Sequence, residues 1–164
     1  MKPQPVLVAR LQFLCRVVIK EMRYLRETDA RLFTDLFTQQ ALEQMDGDPV
    51  LAERLDAFVS RFGRLQDTLA DKFLPVLLDA MAEPRGAALD NLDRAEKLGW
   101  LDSVDAWLEM RKLRNQMVHE YIEDLVILSS ALRAGHDFVP VLTLTATLFV
   151  QVAEKRMGLE VTGL

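Results

Sequence analysis

The chain has 164 residues, of which 50% are hydrophobic and 27% are charged, and its formal net charge is −5 at pH 7. This composition is that of a soluble globular protein, and it predicts one domain over residues 1–164 with a full hydrophobic core. Seven glycines and six prolines are too few for the many turns of an all-β fold. The net negative charge counts against nucleic-acid binding, because nucleic acid is itself negatively charged.

The single cysteine, Cys15, excludes a disulfide within the chain and is typical of a reducing compartment. It falls inside an apolar run, so we predict a packed thiol. The first residues lack the long apolar run of a signal peptide, and no stretch has the ~18 uninterrupted apolar residues of a membrane helix. We therefore expect a cytoplasmic protein that does not interact with a membrane.

The first predicted helix covers residues 6–25, where apolar residues recur at helical spacing. The same helix carries a basic stripe of Arg16, Lys20 and Arg23. Two interpretations of this stripe stay open, a solvated face and a surface along which RNA approaches. A second, short helix is predicted over residues 28–45, with its N-terminal cap at Thr28 or Asp29.

The third predicted helix begins at Asp48 and Pro49, a capping residue followed by proline at the first helical position. Its apolar residues alternate between spacings of four and three, which is typical of helix pairing, and it is expected to be the longest helix. Pro75 should kink it, because proline removes one backbone hydrogen bond near Asp71.

A short helix is predicted over residues 87–98, with Gly99 ending it and Trp100 and Leu101 entering the core. After the next helix, a turn is expected at residues 134–137, where His136 would be an exposed loop residue or a cap. The last helix is predicted over residues 138–157, with a strand as the minority alternative because of its β-branched threonines. The predicted fold is an all-α, up-and-down bundle of four main helices plus shorter ones.

The segment from Arg111 to Tyr121 concentrates cations, a histidine and a tyrosine in an acidic chain. On a helix, Asn115 and His119 are four residues apart and can touch. Arg114 and His119 diverge by roughly 140° on an ideal helix. A single straight helix therefore does not bring the side chains of Arg114 and His119 close together. Either the helix ends near His119, or a second copy of the segment completes the site.

A homodimer is the expected way of completing the site, because Trp107 and Val118 give the motif helix a second apolar edge. Two copies of His119 and Arg114 would supply an acid, a base and a phosphate clamp for RNA cleavage without a metal ion. The competing interpretation pairs Arg114 with Glu109 or Asp124 and makes His119 a half-buried core residue.

The spacing Arg114-x4-His119-x-Tyr121 resembles the signature of the HEPN superfamily, in particular that of the HepT-like ribonuclease toxins. Residues 61–72 and 91–101 are similar to two further stretches of the same family, in the same order. The resemblance implies the toxin of a type VII-like toxin–antitoxin pair, whose partner is a nucleotidyltransferase antitoxin of the MNT type.

That resemblance also assigns roles to residues of the motif. It makes Arg114 and His119 the catalytic residues of a metal-independent endoribonuclease that needs no cofactor. Asn115 and Arg111, in the same segment, are expected to support them. Tyr121 corresponds to the tyrosine to which the antitoxin adds AMP.

Two other functions stay open. The resemblance also covers non-catalytic subunits that bind substrate for a nucleotidyltransferase, and the chain could serve purely as a structural helical dimer. The sequence contains no glycine-rich phosphate loop, no Cys/His cluster with zinc-ligand spacing and no di-iron motif. Nucleotide hydrolysis and a metal site are therefore not expected.

Overall fold

The computed structural model describes residues 2–119, 123–160 and 162–164. Over these residues the chain is helical and contains no strand, which confirms the prediction of an all-α helical bundle. Four main helices and three shorter ones follow one another in the order α1 (Pro5–Leu32), α2 (Gln39–Glu43), α3 (Pro49–Asp67), α4 (Leu74–Ala80), α5 (Ala88–Lys97), α6 (Val104–His119) and α7 (Leu125–Met157).

Helix α1 is longer than predicted. It continues through residues 28–29, where the N-terminal cap of a second helix was expected. Thr28 is buried and its hydroxyl group is hydrogen-bonded by the Arg61 guanidinium, so it is not available to cap a new helix. The apolar face continues to the buried Leu32. The cap of the short helix α2 is instead Thr38, whose hydroxyl accepts a hydrogen bond of 3.1 Å from the Ala41 N–H.

Helix α3 begins as predicted, since the Asp48 carboxylate accepts a hydrogen bond of 3.0 Å from the Leu51 N–H ahead of Pro49. Near Asp71, where Pro75 was expected to disturb the helix, the structure has a π-helical segment, Thr68–Phe73, which leads from α3 into α4. Pro75 lies in the first turn of α4, where a missing N–H costs little. The kink itself stays a prediction.

The short helix α5 and its end also match the prediction. Gly99 has a φ of +76°, a left-handed conformation that favours glycine, and Trp100 and Leu101 are buried. The Glu96 carboxylate accepts a hydrogen bond of 2.6 Å from the Val104 N–H, which fixes the start of α6.

Helix α7 overturns two predictions, since it runs through residues 134–137 without a turn and, with 33 residues, is longer than α3. It confirms the helix predicted over residues 138–157, which includes the threonines for which a strand was the alternative. Gly135 does not end the helix because it is buried against Met117 and Phe58, and tertiary packing outweighs its low helix propensity. His136 is consequently half-buried, with Nδ1 2.7 Å from Asp29 Oδ1, and is not a loop residue.

Among the described residues, α7 is the one helix whose length and composition would allow it to cross a membrane. Core helices of soluble proteins pass the same test, and 39% of the apolar stretch is buried. The absence of a membrane interaction stays a prediction.

The described residues divide into two compact units, and a single domain therefore stays a prediction. The first unit comprises the described residues up to Met22, residues Leu65–Val104 and those from Leu142 onward. Its core includes Phe73 and Phe149, whose rings meet edge to face at 5.8 Å. Cys15 lies in this unit and is buried, as predicted.

The second unit comprises Arg23–Arg64 and the described part of Asp105–Val141. Aromatic rings form its core: Phe33 lies 4.9 Å from Phe37 and 5.0 Å from Phe58, and Phe58 lies 5.8 Å from Phe62. Every described residue of the motif belongs to this unit.

Candidate functional site

Helix α6 carries the motif and has one buried side. Trp107, Met110, Leu113 and Met117 are buried, at spacings of three and four. The burial of Trp107 corrects the prediction of a second apolar edge, because its side chain is 1% exposed and belongs to the core. Val118, which is 50% exposed, keeps that expected role.

His119 is the last described residue of α6 and its side chain is exposed. The interpretation in which it is a half-buried core residue is therefore wrong. Asn115 is also exposed and lies one turn earlier, so the structure places the two side chains on one face as predicted. A proton-transfer group in this position can be reached from solvent.

Lys112 lies on the same exposed face and was not among the predicted site residues. It is three residues from Asn115 and seven from His119, a spacing that repeats on one side of a helix. That spacing was the signal that could have identified it. The face thus combines a cation, an amide and an imidazole.

Arg114 lies on a different side of α6 and is half-buried. Its side chain passes close to Gly63 of α3: a Cβ atom at position 63 would lie 2.8 Å from Arg114 Nε and 3.4 Å from its Cγ. Arg114 of the motif and Gly63, which belongs to the stretch 61–72, therefore meet here within the second unit.

The structure does not bring Arg114 and His119 together on one face of α6. Arg114 lies beside α3, and His119 lies on the exposed face about 140° away around the helix axis. This agrees with the divergence expected from their spacing. Arg111, which was predicted to support the site together with Asn115, is half-buried.

Two arginines flank Gly63 on α3 and have different surroundings. Arg61 donates a hydrogen bond of 3.1 Å to the Tyr24 carbonyl, and its guanidinium lies 5.4 Å from the centre of the Tyr24 ring. Arg61 thereby ties α3 to α1. Arg64 is exposed and donates a hydrogen bond of 3.3 Å to the Ser60 hydroxyl, so its charge remains accessible to an anion.

Tyr121, the predicted site of AMP addition, lies outside the described residues, as do Glu120 and Ile122. Its position relative to Arg114 stays a prediction. In the described part of the chain, no three His, Cys, Asp or Glu side chains are grouped so that they could hold a metal ion.

The other histidine of the chain has different surroundings from His119. His136 pairs with Asp29 and stacks on the Phe33 ring at 4.4 Å, beside an open cavity of about 410 Å³ whose walls include Arg26 and Asp137. Sequence reasoning missed this pair because its members are 107 residues apart.

Comparison with protein-family models, with curated proteins and with solved structures finds no match for this chain. The resemblance to the HEPN superfamily therefore rests on the motif and the stretches 61–72 and 91–101 of the sequence alone.

Proposed function

We propose that this chain is a metal-independent endoribonuclease, the toxin of a type VII-like toxin–antitoxin pair, with Arg114 and His119 as its catalytic residues. The observation that carries the proposal is the exposed imidazole of His119 within the Arg114-x4-His119-x-Tyr121 motif, on a face of α6 that also presents Asn115 and Lys112. A histidine held in the core would not support it.

The reaction needs no group beyond these side chains from two copies of the chain and the RNA itself. His119 takes the proton of a ribose 2′-hydroxyl, the 2′-oxygen attacks the adjacent phosphorus, and the bond to the 5′-oxygen breaks. A second imidazole returns a proton to that leaving oxygen. Guanidinium groups stabilise the charge that develops on the phosphate oxygens, and the products are a 2′,3′-cyclic phosphate and a 5′-hydroxyl.

A homodimer supplies the groups that one chain lacks. Arg114 and His119 face different directions on α6, and a two-fold axis near this helix would place the Arg114 of one protomer beside the His119 of its partner. Val118 and Leu108, both exposed on α6, provide apolar surface for such a contact.

The proposed regulation is covalent. A nucleotidyltransferase antitoxin would add AMP to the Tyr121 hydroxyl in the cytoplasm, which brings a negative phosphate and a base into the RNA site. The added group would oppose the binding of RNA phosphate and block access to the site.

A second candidate function is a non-catalytic subunit that binds substrate for a nucleotidyltransferase. The contact between Arg114 and Gly63 favours it, because an arginine laid along α3 can serve packing as well as catalysis. RNA cleavage separates the two functions.

The test is incubation of the purified chain with RNA in excess EDTA, followed by analysis of the product ends. Cleavage that persists and leaves 2′,3′-cyclic phosphate supports the proposal. Intact RNA would favour the non-catalytic subunit, and cleavage that EDTA abolishes would contradict the metal-independent reaction.

A further inference from the structure

Gly63 occupies the interior of α3, where glycine is unfavourable because it loses more backbone entropy than alanine on entering a helix. Its backbone is part of a regular α-helix, so the conformation of the chain does not demand glycine there. A neighbouring side chain lies in the space that a Cβ atom would occupy.

That neighbour is Arg114. A Cβ atom at position 63 would meet Nε at 2.8 Å, Cγ at 3.4 Å and Cδ at 3.5 Å of its side chain. The first distance is shorter than a carbon and a nitrogen approach without bonding, so the arginine would have to move. Gly135 of α7 is different, since a Cβ atom there would meet only ordinary contacts, Met117 Sδ at 3.4 Å and Phe58 Cε1 at 3.5 Å.

We infer that Gly63 is a positioning residue for Arg114: the missing side chain leaves a place on the surface of α3 along which the arginine lies, and this fixes where its guanidinium can meet an RNA phosphate. The inference rests on the proposed function for its catalytic consequence. The positioning itself depends only on the contact between α3 and α6.

The arrangement explains why an unfavourable residue occupies the helix interior. Alanine would stabilise α3 but would displace a charged group whose placement sets the rate, and displacements of about 1 Å can cost a hundredfold in rate. Stability and activity should consequently respond to the same substitution in opposite directions.

The test is Gly63→Ala, with Gly47→Ala as the control, because a Cβ atom at position 47 would have nothing within 4 Å. We expect Gly63→Ala to keep the Tm or raise it by about 2–4 °C. RNA cleavage should fall about tenfold or more. When Arg114 is already replaced by alanine, Gly63→Ala should change cleavage by less than about twofold. Gly47→Ala should cleave RNA like the wild type.

A readout independent of activity is the NMR signal of the Arg114 Nε–H group, identified by its loss in Arg114→Lys. We expect Gly63→Ala to shift this signal and Gly47→Ala to leave it in place.

An unchanged signal, or an equal loss of cleavage with and without Arg114, would overturn the inference. A fall in Tm that accompanies the loss of cleavage would also overturn it, because Gly63 would then serve helix packing alone. A wild-type chain that cleaves no RNA would remove the proposed function, while the Nε–H signal would still decide whether Gly63 positions Arg114.

Discussion

Burial controls the chemistry of the only thiol in the chain. The side chain of Cys15 is 6% exposed, and its pKa is raised from 9.0 to about 12. The largest cause is burial, which disfavours the thiolate, and the second is the negative charge of Glu154, while Arg16 acts in the opposite direction. The folded protein therefore keeps this thiol protonated under conditions in which an unfolded chain ionises it.

A pH dependence of stability follows from that difference. Above pH 9.0 the unfolded chain releases the Cys15 proton, whereas the folded chain retains it until about pH 12. The free energy of unfolding is therefore highest below pH 9 and falls as the pH rises above it, by about 1.4 kcal/mol per pH unit. Urea unfolding near pH 8 and pH 10 should show this loss in the wild type and not in Cys15→Ala. Equal losses in both proteins would show that Cys15 does not contribute.

Tyr121 carries the proposed regulation at the residue scale. Tyr121→Phe removes the hydroxyl that would accept AMP and keeps the ring, so we expect it to cleave RNA like the wild type. Co-expression with the cognate nucleotidyltransferase should silence the wild type and spare the variant. Intact-mass analysis is the measurement: AMP additions present in the wild type should be missing from Tyr121→Phe. Additions that persist in the variant would assign the modification to another residue.

At the scale of elements, the first part of α1 is basic, in a chain that is acidic as a whole. The first 20 residues contain four Lys or Arg and no Asp or Glu. Arg10, Arg16 and Lys20 are exposed, and the Arg10 guanidinium lies 5.4 Å from the centre of the Phe13 ring, which is itself 46% exposed. Cations beside an exposed aromatic ring suit single-stranded RNA, which offers both phosphates and bases.

We therefore expect α1 to contribute to RNA binding through its charges. Each phosphate contact with single-stranded RNA adds about 0.7 to the slope of log affinity against log salt concentration. Replacing Arg10, Arg16 and Lys20 by alanine should reduce that slope by about 2, as measured on RNA with the His119→Ala variant to prevent cleavage. The control replaces Arg54, Lys97 and Lys155, which are also exposed. An equal effect of both triple variants would show that α1 is an ordinary solvated face.

The helix boundaries also show which structural features can be predicted from the sequence alone. Local signals were sufficient where the deciding interaction is local. Examples are Asp48, whose carboxylate caps the first turn of α3, and Gly99, whose left-handed conformation follows the end of α5. They failed where a distant residue decides. Thr28 has the side chain of a cap but is engaged by Arg61, and Gly135 lies inside α7 because it packs against Phe58.

The candidate site shows the same division. That Asn115 and His119 lie on one face of α6 follows from helical spacing. The burial of Trp107 and the contact of Arg114 with Gly63 depend on which helix packs against α6, and periodicity alone does not supply that information. The Asp29–His136 pair was missed for the same reason.

At the scale of the whole molecule, the account requires two copies of the chain to form one site. If both copies contribute His119 and Arg114, a dimer with one defective protomer should be nearly inactive. We expect a tenfold excess of His119→Ala, after subunit exchange, to suppress most of the cleavage by a fixed amount of wild type. An equal excess of Gly47→Ala should leave that cleavage undiminished. Light scattering should report a dimer for each protein. A monomer would contradict the shared site, and so would wild-type cleavage that an excess of His119→Ala does not reduce.

The two histidines of the chain provide the most direct test of the central claim, that His119 makes this protein a ribonuclease. His119 is exposed at the end of the motif helix, whereas His136 is held by Asp29 and Phe33. RNA cleavage in EDTA should be measured for the wild type, His119→Ala and His136→Ala at equal concentrations of folded protein. The account predicts that His119→Ala loses cleavage by about a hundredfold or more and that His136→Ala retains it. Equal cleavage by the wild type and His119→Ala would contradict the account.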